Sequence, residues 1–254
     1  MASMDQQKTK ALVVIPTYNE AENIERIIEA VLKESDSLNV LVVDDNSPDG
    51  TAAIAASCAG RCPGRVHLLQ RQGKQGLGTA YIAAFKWALE RPEYTHIIEM
   101  DADFSHNPDD IPRLLEACNA GADVAVGSRY ATGVNVVNWP MGRVLMSYYA
   151  SVYVRIVTGM KVHDSTAGFV CWTRHVLQAM NLDEIRFKGY AFQIEMKFTA
   201  TRLGFKIVEV PIIFVNRVLG ESKMSSGIFK EGLFGVLSLK LASYFRKYER
   251  KSAD

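Results

Sequence analysis

The chain has no run of the roughly 18 to 20 uninterrupted apolar residues that a membrane-spanning helix needs. Its apolar stretches near 144–160 and 228–245 are interrupted by Arg155 and Lys240, so neither is expected to cross a bilayer. Cysteine is scarce. Cys58, Cys62, Cys118 and Cys171 form no CxxC pair and have no histidine at metal-ligand spacing, which excludes a zinc module or a disulfide scaffold. No excess of one charge exists: 29 Lys and Arg stand against 28 Asp and Glu, the opposite of a nucleic-acid-binding composition, and no nucleic-acid partner is expected. Nor is there a secretory leader pattern at the start. Residues 1–10 are polar and short, a loose lead-in, and a reducing cytosol is the expected compartment.

Two common nucleotide signatures are missing as well. A dinucleotide fold needs GxGxxG after its first strand, where this chain has Pro16-Thr-Tyr-Asn-Glu20. A P-loop needs GxxxxGK and then Ser or Thr, whereas Gly73-Lys-Gln-Gly-Leu-Gly78 has its glycines in another order. That stretch either lines a nucleotide by close backbone approach or simply turns the chain before a helix opened at Thr79.

What is present is a chain of 254 residues, 48% hydrophobic, enough for one large α/β domain over 11–254. Strand-length apolar runs at Ala11–Ile15, Val40–Val43, Val66–Leu69, His96–Met100 and Asp123–Val126 alternate with helical segments. Ile24, Ile27, Ile28, Val31 and Leu32 mark one helix face. The next crossovers are Thr51–Cys58, Gly78–Leu89 and Ile111–Cys118, the last ending at Asn119-Ala-Gly121 as a helix stop. The alternation predicts a mostly parallel central sheet with helices on both faces. Ligands bind such sheets beyond the carboxyl ends of the strands.

Polar clusters fall at those ends: Pro16-Thr-Tyr-Asn-Glu20, Asp44-Asp-Asn-Ser-Pro-Asp-Gly50, Asp101-Ala-Asp103 and Gly127-Ser-Arg-Tyr130. Each alone has a plain reading as turn, cap or solvated charge. Together, on one edge, they predict a site. Asp101 and Asp103, at i and i+2 of an extended end, present two hard oxygen donors on one side, which suits Mg²⁺ or Mn²⁺ shared with a diphosphate.

These motifs, with Gly76-Leu-Gly-Thr-Ala-Tyr81, Gly189-Tyr-Ala-Phe-Gln-Ile-Glu195 and Arg217-Val-Leu-Gly-Glu-Ser-Lys223, make the chain similar to dolichol- and polyprenol-phosphate mannosyltransferases. Those are inverting family 2 enzymes of the glycosyltransferase A (Rossmann-like) fold. The motifs follow in order over nearly the whole chain, and the segments near 190 and 217–223 are the more specific. Many members carry an added transmembrane domain; this chain resembles the type without one. The resemblance implies that Pro16, Tyr18, Glu20, Val43 and Asp45 hold the nucleoside of GDP-mannose. It implies that Asp101 and Asp103, with Ala102 alongside, meet metal and diphosphate. Arg129, Arg143, Ser147, Arg217 and Lys223 are then expected around the phosphates and sugar, with Asp103, Arg129, Arg217 and Lys223 closest to the chemistry. Some members have Gln two residues past the second Asp as a further metal ligand; here Ser105 stands there, leaving the third protein ligand open.

A lipid phosphate suits this equipment. A sugar hydroxyl must lose a proton to a base as it attacks, but a phosphate monoester, with its second pKa near 6, is already largely ionised at pH 7. What it requires is cations, and arginine grips phosphate by two bonds at once. The implied reaction transfers mannose from GDP-mannose to dolichyl or polyprenyl phosphate with inversion. The alternatives are a polyprenyl-phosphate glucosyltransferase using UDP-glucose and a non-catalytic sugar-nucleotide-binding subunit. Tyr190, Phe192, Gln193 and Glu195 lie at helical spacing and serve either as a packed face or near the acceptor; the lone His106 and His163 are not expected to be catalytic.

Two amphipathic helices are expected at 137–158 and 223–246. Between Arg217 and Lys251 eight basic residues stand against three acidic ones, which favours an anionic membrane surface. Both helices serve either there or in protein packing. The expected placement is peripheral, on the cytosolic face of a membrane, with small membrane-anchoring subunits as further partners.

Overall fold

The computed structural model describes residues 9–189, 191–216 and 226–251, with side chains of 226–233 outside that description. Arg217, Lys223 and Tyr190 therefore lie outside the described residues. The strands are β1 (Ala11–Thr17), β2 (Leu38–Asp44), β3 (Val66–Gln70), β4 (His96–Glu99), β5 (Val124–Ser128), β6 (Val136–Val137), β7 (Val170–Thr173), β8 (Ile207–Pro211) and β9 (Phe214–Val215). The helices are α1 (Ile24–Glu34), α2 (Thr51–Arg61), α3 (Leu77–Leu89), α4 (Ile111–Asn119), α5 (Met141–Thr158), α6 (Arg174–Ala179), α7 (Ala191–Arg202) and α8 (Ser226–Ala242).

Seven strands form one sheet in the order β3-β2-β1-β4-β7-β5-β8, and β6 pairs with β9 beside it. Every residue of β1 except Pro16, and every residue of β2, is buried, as strands covered on both faces must be. Alternation along the strands feeds two cores. One face sends Leu12, Val14, Leu41 and Val43 against Tyr81, Phe85 and Phe192 of α3 and α7. The other sends Val13, Ile15, Val40 and Val42 against Ile24, Ile27, Ile28 and Val31 of α1 and Leu114 of α4.

The five expected strands and four crossover helices form, with ends shifted by up to three residues. The sequence reading placed no strand at 170–173 or 207–211. β7 lies between β4 and β5 and runs antiparallel to both, with Glu99 opposite Val170 and Val124 opposite Trp172. This reversal brings the segment before β7, residues 159–169, to the carboxyl edge where β4 and β5 end. The first amphipathic segment starts its helix at Met141, because Pro140 takes an extended ψ of 141° and residues 136–137 pair with 214–215 instead. α5 and α8 pack through Val154, Val236 and Leu239, which meet Ile194 and Phe198 of α7.

Candidate active site

The loops after β1 and β2 are stapled to each other. The Asp44 carboxylate accepts from Thr17 Oγ1 at 2.9 Å and from both the backbone N (2.9 Å) and Oγ (2.5 Å) of Ser47. Ser47 Oγ in turn accepts from Asn19 N at 3.0 Å. Asp49 accepts from Ala21 N, and Thr51 Oγ1 from Glu20 N, both at 3.0 Å. Asn19 and Asn46 take φ of 60° and 58°, the left-handed conformation asparagine tolerates better than most residues. Most of the polar residues in this cluster thus brace the turn. Asp45 differs: its Oδ1 lies 2.9 Å from Arg71 Nη1, both side chains nearly buried, without the alignment of a hydrogen bond at either atom. Burial pushes the Asp45 carboxyl up, against the opposing charge of Arg71.

Of the expected nucleoside residues, Pro16 and Val43 are register partners across β1 and β2. Val43 is packed in the core. The Tyr18 ring is covered by Lys74 Nζ, 4.7 Å from its centroid, and Glu20 accepts from Asn23 Nδ2 at 3.1 Å.

Asp101 and Asp103 follow β4 at the same edge, with Ala102 between them turned into the core. Asp103 Oδ1 accepts from Ser105 N at 3.1 Å and Ser105 Oγ at 2.5 Å. Ser105 therefore orients the second aspartate. Phe104 has φ of 59°, a strained conformation for an aromatic residue, under Arg26 at 5.4 Å. His106, buried, accepts the Asp101 N–H at Nδ1 (3.1 Å), so its proton sits on Nε2. Its ring stacks on Phe169 at 5.0 Å and meets Phe214 edge-on at 5.6 Å. Burial holds its pKa below the usual value, while Asp101, Asp103, Arg129 and Asp164 all act on it through their charges. His106 thus links the Asp101 backbone to Phe169 and Phe214.

Arg129, after β5, is committed to Asp164 on the loop before β7. Its Nε donates to Oδ2 at 2.7 Å, its Nη2 to Oδ1 at 2.6 Å and to Thr166 Oγ1 at 2.8 Å, and its backbone N to Oδ2 at 2.9 Å. The guanidinium also lies 5.3 to 5.6 Å from the ring centroids of Tyr130, Trp139 and Phe214. Glu209 of β8 holds this loop from the other side, accepting from Asp164 N at 2.9 Å, His163 N at 2.8 Å and Ser128 Oγ at 2.7 Å. Arg143 rests on Trp139 at 4.0 Å and donates to Asn216 Oδ1 at 3.1 Å. Ser147 Oγ accepts from Tyr130 OH at 2.8 Å. The structure brings Arg129 and Arg143 together at Trp139, and Arg129 and His106 together at Phe214.

Sequence reasoning missed Arg71, Asp164, Thr166, Glu209 and the buried Lys197. A single Asp on a loop carries no signal of its own. Nor did Lys197 carry one: only the fold shows that Ala191 to Ala200 are all buried, which places Gln193, Glu195 and Lys197 where charge needs partners.

Comparison with known proteins follows the same lines. Residues 12–179 match the model for glycosyl transferase family 2. The chain belongs to glycosyl transferase family 2. The polyprenol monophosphomannose synthase of Mycolicibacterium smegmatis is 48% identical over 89% of this chain and 85% of its own. The undecaprenyl-phosphate mannosyltransferase of Micrococcus luteus is 48% identical over 92% of this chain and 95% of its own. The dolichol-phosphate mannosyltransferase of Pyrococcus furiosus is 37% identical over 85% of this chain and 59% of its own. Among solved structures, the glucosyl-3-phosphoglycerate synthase of Mycobacterium tuberculosis with Mn²⁺ and UDP superimposes with a TM-score of 0.66 at 19% identity, covering 92% of this family 2 chain and 80% of that one. The fold is therefore that of glycosyltransferase A.

The residues fit a divalent cation, which that solved synthase structure holds as Mn²⁺ with UDP. Two carboxylates stand one residue apart at a strand end, one oriented by Ser105. No third His, Cys, Asp or Glu joins them in a cluster among the described residues, so a cation would complete its oxygen shell from a diphosphate.

Proposed function

We propose that this family 2 enzyme transfers mannose from GDP-mannose to a dolichyl or polyprenyl phosphate, giving the β-linked lipid mannosyl phosphate and GDP, with Mg²⁺ or Mn²⁺ at Asp101 and Asp103. The observation that carries the reading is that the β4 end bearing the two aspartates and the β5 end bearing Arg129 meet at one edge: His106, which accepts the Asp101 N–H, and the Arg129 guanidinium both lie 5.6 Å from the Phe214 ring centroid. An acidic pair for a metal-bound diphosphate thus stands beside a basic side for a second anion. The names of the two relatives at 48% identity support a mannosyl donor and a polyprenyl phosphate acceptor.

In this reading the loops after β1 and β2 hold the nucleoside, with Asp45 and Arg71 as a polar pair for the base and Pro16, Tyr18 and Glu20 around it. Asp101 and Asp103 would hold the cation, which when bound would supply positive charge for the diphosphate. Arg143 offsets the acceptor phosphate's charge, joined by Arg217 and Lys223 from outside the described residues, while Arg129, already paired with Asp164, fixes the loops on that side. The ionised acceptor needs no base, and its oxygen attacks the anomeric carbon from the side opposite the diphosphate.

The membrane is the place to meet such an acceptor. No helix among the described residues is long and apolar enough to cross one. α5, α8 and the turn after α8 nevertheless leave Met141, Tyr149, Ile156, Phe234, Leu241 and Phe245 exposed, Phe245 at 91%. We assign this apolar surface to peripheral contact with the cytosolic leaflet, where small anchoring subunits would also act. Transfer from radiolabelled GDP-mannose, run beside UDP-glucose with the same polyprenyl phosphate, tests the function. Mannosyl lipid from GDP-mannose alone is expected; glucosyl lipid alone, or neither product, overturns it.

A further inference from the structure

A buried polar path runs between the β4 end and the loop that holds Arg129. Glu99, the last residue of β4 and two before Asp101, is fully buried and accepts from Trp172 Nε1 of β7 at 2.6 Å and from Gln193 Nε2 of α7. Gln193 Oε1 accepts from Lys197 Nζ at 3.1 Å. Only this orientation of the amide gives a donor to the carboxylate and an acceptor to the ammonium at once. The Lys197 Nζ also donates to Gln193 O at 3.3 Å and, most closely, to Ala167 O at 2.7 Å. Ala167 N in turn donates to the backbone O of Asp164 at 3.3 Å, and Asp164 and Thr166 grip Arg129.

A fully buried lysine and glutamate are a costly way to fill a core layer. Apolar residues of similar volume commonly serve as well or better. Burial drives Lys197 down toward about 8, against the opposing charges of Glu99 and Asp164. Burial likewise drives Glu99 up toward about 7, against the charge of Lys197. What apolar residues could not supply is directional bonding between two separate segments: the β4 end that carries Asp101 and Asp103, and the 164–167 loop that holds Arg129. The antiparallel β7 separates β4 from β5 in the sheet, so these two halves share no ladder of their own.

We propose that Lys197, acting with Gln193, is a positioning residue that sets the spacing between the Asp101 and Asp103 carboxylates and the Arg129 guanidinium. The assignment deepens the function proposed above and rests on its reading of those groups as the donor and acceptor sides.

The test uses the full chain as wild type, Lys197→Met, and the double variant Glu99→Gln with Lys197→Met. Thermal unfolding, steady-state transfer kinetics and Mn²⁺ binding in the presence of GDP by electron paramagnetic resonance are measured on each. Lys197→Met leaves a buried carboxylate unpaired and should lose both Tm and rate. The double variant removes both charges and should recover Tm, while kcat stays about 10- to 100-fold low, as expected of a misplacement near 1 Å. Its KM for the sugar nucleotide and its Mn²⁺ affinity with GDP should remain near wild type, because each half is intact. Recovery of kcat together with Tm would mean that the lysine only stabilises the fold, and overturns the proposal. So does a loss of Mn²⁺ affinity in step with kcat, which places the defect inside the donor half. Should the double variant not fold, Gln193→Met interrupts the same path without a change of charge, and wild-type kcat in that variant overturns the proposal. If wild type itself transfers no mannose, the proposed donor fails, and the path is read with the sugar nucleotide that wild type does turn over.

Discussion

Asp164 closes on Arg129 from three directions: the carboxylate receives the guanidinium at both oxygens and the Arg129 backbone N–H at one of them. The Asp164 side chain is wholly buried and that of Arg129 is 10% exposed. Burial alone would raise the Asp164 carboxyl, but the Arg129 charge and these bonds outweigh it and hold the group below the ordinary carboxylate range. Such a carboxylate stabilises the fold fully above its unfolded pKa near 3.9, and that contribution is lost as pH falls through the lower folded value. Asp164→Asn leaves the buried guanidinium without its counter-charge and should cost about 3 kcal/mol in urea unfolding at pH 7. The same variant should show a shallower loss of stability than wild type as pH falls below about 4.

Asp103→Ala should reduce transfer by roughly two orders of magnitude or more. Asp103 sits at the strand-end edge outside both apolar cores, so the melting temperature should stay close to wild type. Near-normal turnover of the purified variant would remove Asp103 from the metal site.

Chelation by EDTA should abolish transfer. Mg²⁺ or Mn²⁺ should restore it and Ca²⁺ should not, because two carboxylates and a diphosphate make a compact oxygen set better matched to the smaller ions. Restoration by Ca²⁺ to the same rate would contradict this coordination.

Gly78→Ala puts a methyl group 2.7 Å from Phe187 O and 2.8 Å from Phe192 Cδ2. Gly78 N donates to Lys188 O at 2.8 Å in the same place, so the backbone there cannot withdraw without breaking a bond. A loss of about 1–3 kcal/mol in chemical denaturation is expected.

Phe234→Asp with Leu241→Asp alters two α8 side chains that are 65% and 62% exposed. The fold should persist, while sedimentation with anionic liposomes and turnover of a long-chain acceptor both fall and GDP affinity is unchanged. Undiminished liposome binding would take α8 off the membrane.

The parallel half of the sheet was legible because each of its strands is an apolar run covered on both faces, followed by a helix with a visible apolar stripe. The polar clusters at the strand ends were legible for the same reason. β7 was not: four residues, Val170–Thr173, between a loop and the short helix α6 carry no period. α7 was ambiguous because it has no polar side to mark its period, every residue from Ala191 to Ala200 being buried. Within the site, Asp101 and Asp103 stand out by spacing. Asp164, Glu209 and Lys197 act through partners 35, 45 and 30 residues away, and no local pattern encodes such pairings. Arg129 was singled out as a positive charge, but its tie to Asp164 was invisible until the β7 reversal brought the two loops together.

The reversed strand also dictates a sequence of events during synthesis. β5 has no sheet neighbour except β7 and β8, so a growing chain that has emerged only as far as residue 169 can lay down β3, β2, β1 and β4 but leaves β5 stranded. At that stage the outer side of β4 is an open edge, and Glu99 waits there without Trp172, Gln193 or Lys197, all of which are translated later. A nascent chain of this length therefore exposes the β4 edge and the whole of β5 to pairing with a neighbour on the polysome until β7 emerges between them.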